Sequence, residues 1–307
     1  MKTAFIFPGQ GSQSLGMGRE FYENFTSARN LFEQASDELK IDFKHLLFEE
    51  NDKLNISEFT QPAIVLNSLM SFLALKERVD MAPAFSLGHS LGEFSALATS
   101  GAFEFLDALN IVNLRGKFMQ QDCDGKGAGM MVVLNLADNK IEQICANARD
   151  EGLFAYAANF NCDGQVVVAG LSADLAKLES KFKEAGAKRA MLLNMSVASH
   201  CPILQNASQK LVEKLSEILK PTFAPVISNI SATAYTDKTQ ALALLQRQLT
   251  EPVLYKQSIE RNKAEIYIEF GSSVLKGINK KITDSPTLSI TDMTSLEEAV
   301  KFIKDNT

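Results

Sequence analysis

The sequence predicts an α/β fold in two unequal parts, with a larger part assembled from both ends of the chain and a small lobe inserted into it. Three observations carry this. Short apolar runs at 3–7 and 82–87 each end at a glycine-rich turn and give way to a helical pattern, the alternation expected of an α/β layer architecture. Between residues 126 and 196 the order becomes β-α-β-β-α-β, and after that stretch the mixed character returns. The expected division is therefore 1–125 with 197–307 for the large part and 126–196 for the lobe.

The run 3–7 is halted by Pro8-Gly9-Gln10-Gly11 and reads as a buried strand leading into a loop, with a helix from about residue 17. Thr60, with Pro62 just behind it, reads as the start of a helix over 60–78, which Ile64, Leu66, Leu69, Phe72, Leu73 and Leu75 mark as buried. The run 82–87 is a second strand, followed at once by Gly88-His89-Ser90-Leu91-Gly92 and a helix from Glu93. An amphipathic stretch at 104–121 ends in Cys123-Asp124-Gly125-Lys126-Gly127, a turn-rich break that marks the boundary. In the lobe, strands fall at 130–136, 154–159, 165–169 and 189–195, with helices at 140–149 and 172–185. That order matches the split ferredoxin-like arrangement, two helices on one face of a small antiparallel sheet. Beyond it come a proline-started helix after Cys201, a strand at 225–229, a helix at 241–249 and a strand at 265–270.

Composition bounds the function. With 46% hydrophobic and 22% charged residues among 307, the chain can build a core larger than one small domain. A net charge of -6 argues against nucleic acid or an anionic membrane as the main partner. Cys123, Cys145, Cys162 and Cys201 form no CxxC pair and no signal-peptide pattern opens the chain, so reduced thiols and a cytoplasmic location are expected. The best membrane candidate, 63–75, is shorter than the ~18 to 20 apolar residues a span needs, and the protein is expected to be soluble. The glycine loop fails both common phosphate patterns, with Ser14 where GxGxxG needs glycine and Met17 where GxxxxGK needs lysine. No metal and no cofactor are expected.

Strand, sharp turn and helix meet at Ser90. In GxSxG the flanking glycines let the strand and helix close on a serine held in unusual backbone geometry, at a helix N-terminus whose free N–H groups can receive an oxyanion. Leu91, next after the serine, would supply one of these. The plain alternative is a glycine-rich turn with a capping serine. A serine hydroxyl needs a base, and there are three histidines. His45 reads as a structural or surface residue, and His89 adjoins Ser90, where neighbouring side chains point apart. His200, just past the lobe, is left as the base by elimination. Asp107, Asp122 and Asp163 lie between serine and histidine without a distinctive setting, so no third acid is assigned.

Phe7-Pro8-Gly9-Gln10-Gly11-Ser12-Gln13, the Gly88–Glu93 elbow, Leu114-Arg115-Gly116-Lys117-Phe118-Met119-Gln120 and Ser199-His200 together resemble the malonyl-CoA:acyl carrier protein transacylases of fatty-acid synthesis, over nearly the whole chain. The resemblance implies an α/β-hydrolase-like large domain carrying the elbow, with the ferredoxin-like subdomain inserted. It implies that Ser90 attacks the thioester of malonyl-CoA with His200 as general base, and that acyl carrier protein collects the malonyl group from the serine. It also implies that a backbone carbonyl near Gln248 orients the histidine, and that Gln10 supplies a second oxyanion N–H.

Arg115 matches the position that binds the malonyl carboxylate, a role suited to a guanidinium fork; without the resemblance, a surface ion pair would be the ordinary reading. Gln248 matches a pocket residue, with Gln61 and Asn161 as weaker candidates. The chain departs from the family's Gly-Pro-Gly turn, having Phe270-Gly271-Ser272-Ser273-Val274 after the late strand. For an acidic carrier protein, Lys276, Lys280 and Lys281 form one candidate docking patch, and Lys181, Lys183, Lys188 and Arg189 another. A serine esterase or thioesterase would use the same elbow, and a related transferase would load another acyl group such as methylmalonyl.

Overall fold

The computed structural model describes residues 1–195 and 197–306. Strands β1 (Thr3–Phe7), β2 (Phe85–Gly88), β3 (Ala128–Leu134), β4 (Ala155–Cys162), β5 (Gln165–Leu171), β6 (Arg189–Leu192), β7 (Thr222–Ile227), β8 (Ala234–Asp237), β9 (Ile266–Phe270) and β10 (Thr287–Ile290) form two sheets surrounded by helices, a mixed α/β architecture.

The larger sheet has the order β10-β9-β1-β2-β7-β8. Its first five strands run parallel and β8 returns antiparallel. Both faces of a parallel sheet are covered, so β1, β2 and β9 are buried at every position and need no alternation of polar and apolar residues. Phe7 pairs with Gly88, so the glycine loop and the serine turn leave the same end of adjacent strands, at the carboxyl ends where open α/β sheets place their sites.

The smaller sheet, β4-β5-β3-β6, is antiparallel throughout. Met131, Val133, Val166 and Val168 point to one of its faces and pack with Ile141, Leu175, Leu178 and Phe182 of helices Asp138–Asp150 and Ser172–Glu184. Ala128, Met130 and Ala169 join the core of the larger part instead. Lys256 also links the two, its Nζ 2.6 Å from Asp138 Oδ2 and 2.9 Å from Asp163 Oδ1.

Several elements differ from the sequence reading. The buried helix starts at Ser57, not at Thr60, and runs to Arg78. Thr60 is inside it, donating its hydroxyl to the carbonyls of Leu54 and Ile56 at 2.6 and 3.0 Å. Pro62 has no N–H for the carbonyl of Glu58, and Asn113 Nδ2 donates to that oxygen at 2.8 Å, which is how a helix tolerates the proline. The second strand begins only at Phe85, after Pro83, which cannot donate to a ladder. β6 ends at Leu192 rather than at 195. β8, β10 and the helices Tyr255–Arg261 and Met293–Asp305 had no counterpart in the sequence reading.

Gly271 stands at φ 85°, and its carbonyl accepts from Asn67 Nδ2 at 2.8 Å. Ser272 Oγ accepts from the Val274 N–H at 3.0 Å, so the departing turn is stitched by its own side chain. No helix among the described residues is long and apolar enough to cross a membrane.

Candidate active site

Ser90 has φ 53°, the left-handed region that costs a non-glycine residue about 1 to 3 kcal/mol unless its surroundings hold it there. Asn229, in the loop after β7, does the holding. Its Nδ2 donates to the Gly88 carbonyl at 2.7 Å, and its Oδ1 accepts from the Ser90 N–H at 2.7 Å. The two glycines of the turn serve close approach and not unusual φ. A Cβ on Gly88 would fall 1.9 Å from the Gly92 carbonyl carbon, and one on Gly92 would fall 2.0 Å from the Phe7 carbonyl oxygen. Gly92→Ala is therefore expected to push the turn off β1, costing about 1 to 3 kcal/mol of stability by overpacking. Thermal unfolding and the rate of serine acylation, measured together, should both fall.

His200 follows the lobe at φ 62° and is buried. Its Nε2 lies 2.8 Å from Ser90 Oγ, and its Nδ1 lies 2.7 Å from the Gln248 carbonyl oxygen. A carbonyl can only accept, so Nδ1 carries the proton and Nε2 presents a lone pair to the serine. Burial, and then the charge of Arg115, push its pKa down to about 3, so the imidazole is neutral at ordinary pH and free to take a proton. None of the three aspartates weighed from the sequence is bonded to His200 among the described residues. Asp122 accepts from the Ala207 N–H at 2.7 Å, Asp163 pairs with Lys256, and Asp107 stands in the first turn of helix Phe105–Cys123.

The other histidines are placed apart from this chemistry. His89 Nε2 is 2.7 Å from Asn161 Oδ1, which binds Asn161 to the turn, and His45 is exposed with its Nδ1 2.9 Å from Glu49 Oε2.

Arg115 is 1% exposed, on the helix face turned toward the serine. Its Nη2 donates to Ser90 Oγ at 3.0 Å and to Gln248 Oε1 at 3.4 Å, and its Nη1 donates to Gln61 Oε1 at 3.0 Å. Nε has no partner among the described residues, and none of these three acceptors is charged. Burial pulls the pKa of the guanidinium down to about 9, against the opposing pull of Glu93, so the charge persists at neutral pH. A buried cation held only by neutral oxygens leaves most of its desolvation cost uncompensated, which suits it to an incoming anion. Its helix reaches the site because Gly116 lets it close on its neighbour: a Cβ there would lie 2.5 Å from the Ser57 carbonyl oxygen.

The N–H of Leu91, at the N-cap of helix Gly92–Thr99, and that of Gln10 have no hydrogen-bond partner among the described residues. The Gln10 loop lies against the serine turn, since a Cβ on Gly9 would be 2.4 Å from the His89 carbonyl oxygen. Gln10 also contacts Gln61, whose Nε2 lies 3.4 Å from Gln10 Oε1. A cavity of about 920 Å³ opens beside Gln10, its lining including Ser57, Gln120, Leu193, Asn194 and Met195. That is ample for a long, thin substrate arm. Of the two lysine groups, Lys181 and Lys183 are tied to Glu151 and Glu179, whereas Lys276 and Lys280 line a separate cavity with Asp284.

Three residues at this site were missed by the sequence reading: Glu93, Asn229 and Tyr235. Glu93 stood in plain view after Leu91-Gly92, and an acid in a run of apolar helix residues is a signal. Asn229 and Tyr235 carry none.

The acyl transferase domain family matches residues 4–296. The malonyl CoA-acyl carrier protein transacylase of Bacillus subtilis is 36% identical over 311 aligned residues, 99% of this chain and 98% of that one. Its Escherichia coli K12 counterpart is 37% identical over 294, covering 93% and 94%. Among solved structures, malonyl-CoA:acyl carrier protein transacylase from Helicobacter pylori superposes with a TM-score of 0.96 at 45% identity, covering 100% of both chains. A type II polyketide synthase acyl-carrier protein in complex with its malonyl-transacylase gives 0.94 at 33%, covering 98% of this chain and 100% of that one.

Proposed function

The chain belongs to the acyl transferase domain family, among the malonyl-CoA:acyl carrier protein transacylases, and from that premise we propose how it moves a malonyl group from coenzyme A to the phosphopantetheine thiol of acyl carrier protein. The observation that carries the mechanism is that Ser90 Oγ is shared between a neutral histidine and a buried guanidinium that no carboxylate contacts directly among the described residues. Nucleophile, base and a receptor for a carboxylated acyl group meet at one oxygen.

In the first half-reaction His200 Nε2 takes the Ser90 proton as Oγ attacks the thioester carbonyl carbon. The oxyanion is received by the N–H groups of Leu91 and Gln10, and the malonyl carboxylate by Arg115, with Gln248 beside it. The C–S bond breaks, and the coenzyme A sulfur leaves with the proton from His200. In the second half the carrier thiol gives its proton to His200 and attacks the ester, and Ser90 recovers the proton as it departs. A Ser-His dyad suffices because the Gln248 carbonyl fixes the tautomer that an acid would otherwise fix.

The finer architecture belongs to the same reading. Residues 1–125 and 197–307, the last of which lies outside the described residues, are assigned to an α/β-hydrolase-like catalytic domain, supported by a serine turn between a parallel strand and a helix with the histidine later in the chain. Residues 126–196, the last of which lies outside the described residues, are assigned to a ferredoxin-like subdomain, supported by an antiparallel order of β4-β5-β3-β6 with two helices packed on one face.

Intact-mass measurement after mixing the protein with a panel of acyl-CoAs, with and without phosphopantetheinylated carrier protein, tests this. The expected result is one malonyl adduct that disappears when carrier is added, with the malonyl group recovered on the carrier. Loss of the adduct to water with none on the carrier would assign an esterase instead.

A further inference from the structure

Behind the serine turn, Glu93 is 1% exposed, and three donors converge on its carboxylate. Tyr235 OH donates to Oε1 at 2.8 Å; Gln248 Nε2 donates to Oε2 at 2.8 Å, and the Asn229 N–H to the same oxygen at 3.4 Å. Gln248 is the junction. Its Nε2 also donates to the Ser90 carbonyl at 3.1 Å, its Oε1 accepts from Arg115, and its backbone carbonyl accepts from His200. With Nε2 claimed by a carboxylate, which can only accept, Oε1 is forced to face the guanidinium.

We infer that Glu93 is a positioning residue for the acyl-transfer reaction: in its ionised form it orients Gln248 and offsets the charge of Arg115 on His200, and it competes with the substrate carboxylate for that arginine. This rests on the malonyl relay through Ser90 proposed above. The charge argument follows from the order of the groups. His200 must become an imidazolium during acylation, and Arg115 opposes that. Glu93 is the carboxylate that pulls the other way on Arg115. Removing its charge should therefore slow the chemical step and tighten the hold on malonyl, two effects of opposite sign that loss of structure would not produce.

The charged and titratable groups facing Glu93 are Arg115 from helix Phe105–Cys123 and Tyr235 from β8, with His200 reached through Gln248. Burial raises the Glu93 pKa to about 7, against the lowering effect of its three donors and Arg115. Glu93 thus gains its charge as pH rises through about 7, whereas His200 loses its proton far below that, near 3. A rise in acylation rate centred near pH 7 would belong to Glu93.

Single-turnover acylation by malonyl-CoA, read by intact mass across pH 5.5 to 8.5, provides the test. Glu93→Gln keeps the shape, since its amide can donate to Tyr235 while its oxygen accepts from Gln248 and Asn229. The expected result is a maximal rate lower by roughly tenfold, a half-saturating malonyl-CoA concentration that also falls, and loss of the rise near pH 7. Tyr235→Phe removes one donor from the carboxylate, so it should move that rise upward by about one pH unit while leaving the plateau in place. Glu93→Gln with wild-type rate, saturation and pH profile overturns the inference and leaves the relay standing, as does a rate loss in which half-saturation rises. If Glu93→Gln fails to fold, an unmoved rise in Tyr235→Phe overturns it alone. If the wild-type protein takes no malonyl group, both readings fall.

Discussion

Ser90→Ala mixed with malonyl-CoA is expected to show no covalent adduct and a transfer rate lower by about 10⁴-fold or more, the scale of losing a nucleophile that works as a unit with its base. The surrounding structure should persist, because what holds the turn is backbone: Asn229 clamps the Gly88 carbonyl and the Ser90 N–H, neither of which the substitution removes. Alanine retains the φ 53° strain without the hydroxyl that justified it, so thermal unfolding should be near that of wild type. His200→Ala should fall nearly as far, and the two together little further than either alone. A malonyl adduct on Ser90→Ala would place the nucleophile elsewhere and remove the basis of the mechanism.

How far the sequence revealed these features depends on where each physical cause resides. The β1 and β2 strands and the serine turn were legible because their causes are local: an apolar run stopped by glycine, and a serine flanked by glycines before a helix. The β-α-β-β-α-β order of the elements from β3 to β6 was legible in the alternation of apolar runs and helical patterns. β8 was not, since an edge strand alternating exposed and buried residues has no apolar run, and its one fully buried side chain is Tyr235. Helix Met293–Asp305 could have been found: Asp292 and Ser295 form a capping box, and Leu296, Ala299, Val300 and Ile303 recur at helical spacing.

At the site, Ser90 and His200 could be singled out by motif and elimination. The Gln248 carbonyl came only from resemblance, because a backbone acceptor leaves no mark on residue type. Asn229 was invisible for a related reason: an asparagine is ordinary in a loop, and its function arises from meeting a turn 139 positions away. Glu93 stands inside the elbow motif, but residue type alone does not show that its carboxylate meets Gln248, 155 positions away.

Arg115 yields the other large effect, and its sign differs between substrates. Arg115→Ala should lower kcat/KM for malonyl-CoA by about 10² to 10³-fold, corresponding to the roughly 3 to 4 kcal/mol at stake when a desolvated charge pair loses one partner. Acetyl-CoA has no carboxylate to lose, so this term vanishes. A second term then acts in its favour. Burial first and then the arginine's charge hold down the His200 pKa, so removing the charge lets that pKa rise from about 3 while burial still keeps it below the ordinary histidine value. Acetyl acylation should therefore hold steady or increase at neutral pH, and the part of its loss on acidification that belongs to His200 should move upward in pH from near 3. Arg115→Lys keeps the depressing charge but not the two-pronged geometry, so its malonyl rate should fall between wild type and alanine while its acetyl rate stays at the wild-type level. Acylation rates for both thioesters across pH, on both variants, decide the matter. Equal losses for malonyl and acetyl would mean that Arg115 holds Gln61 and Gln248 in place and does not select the substrate.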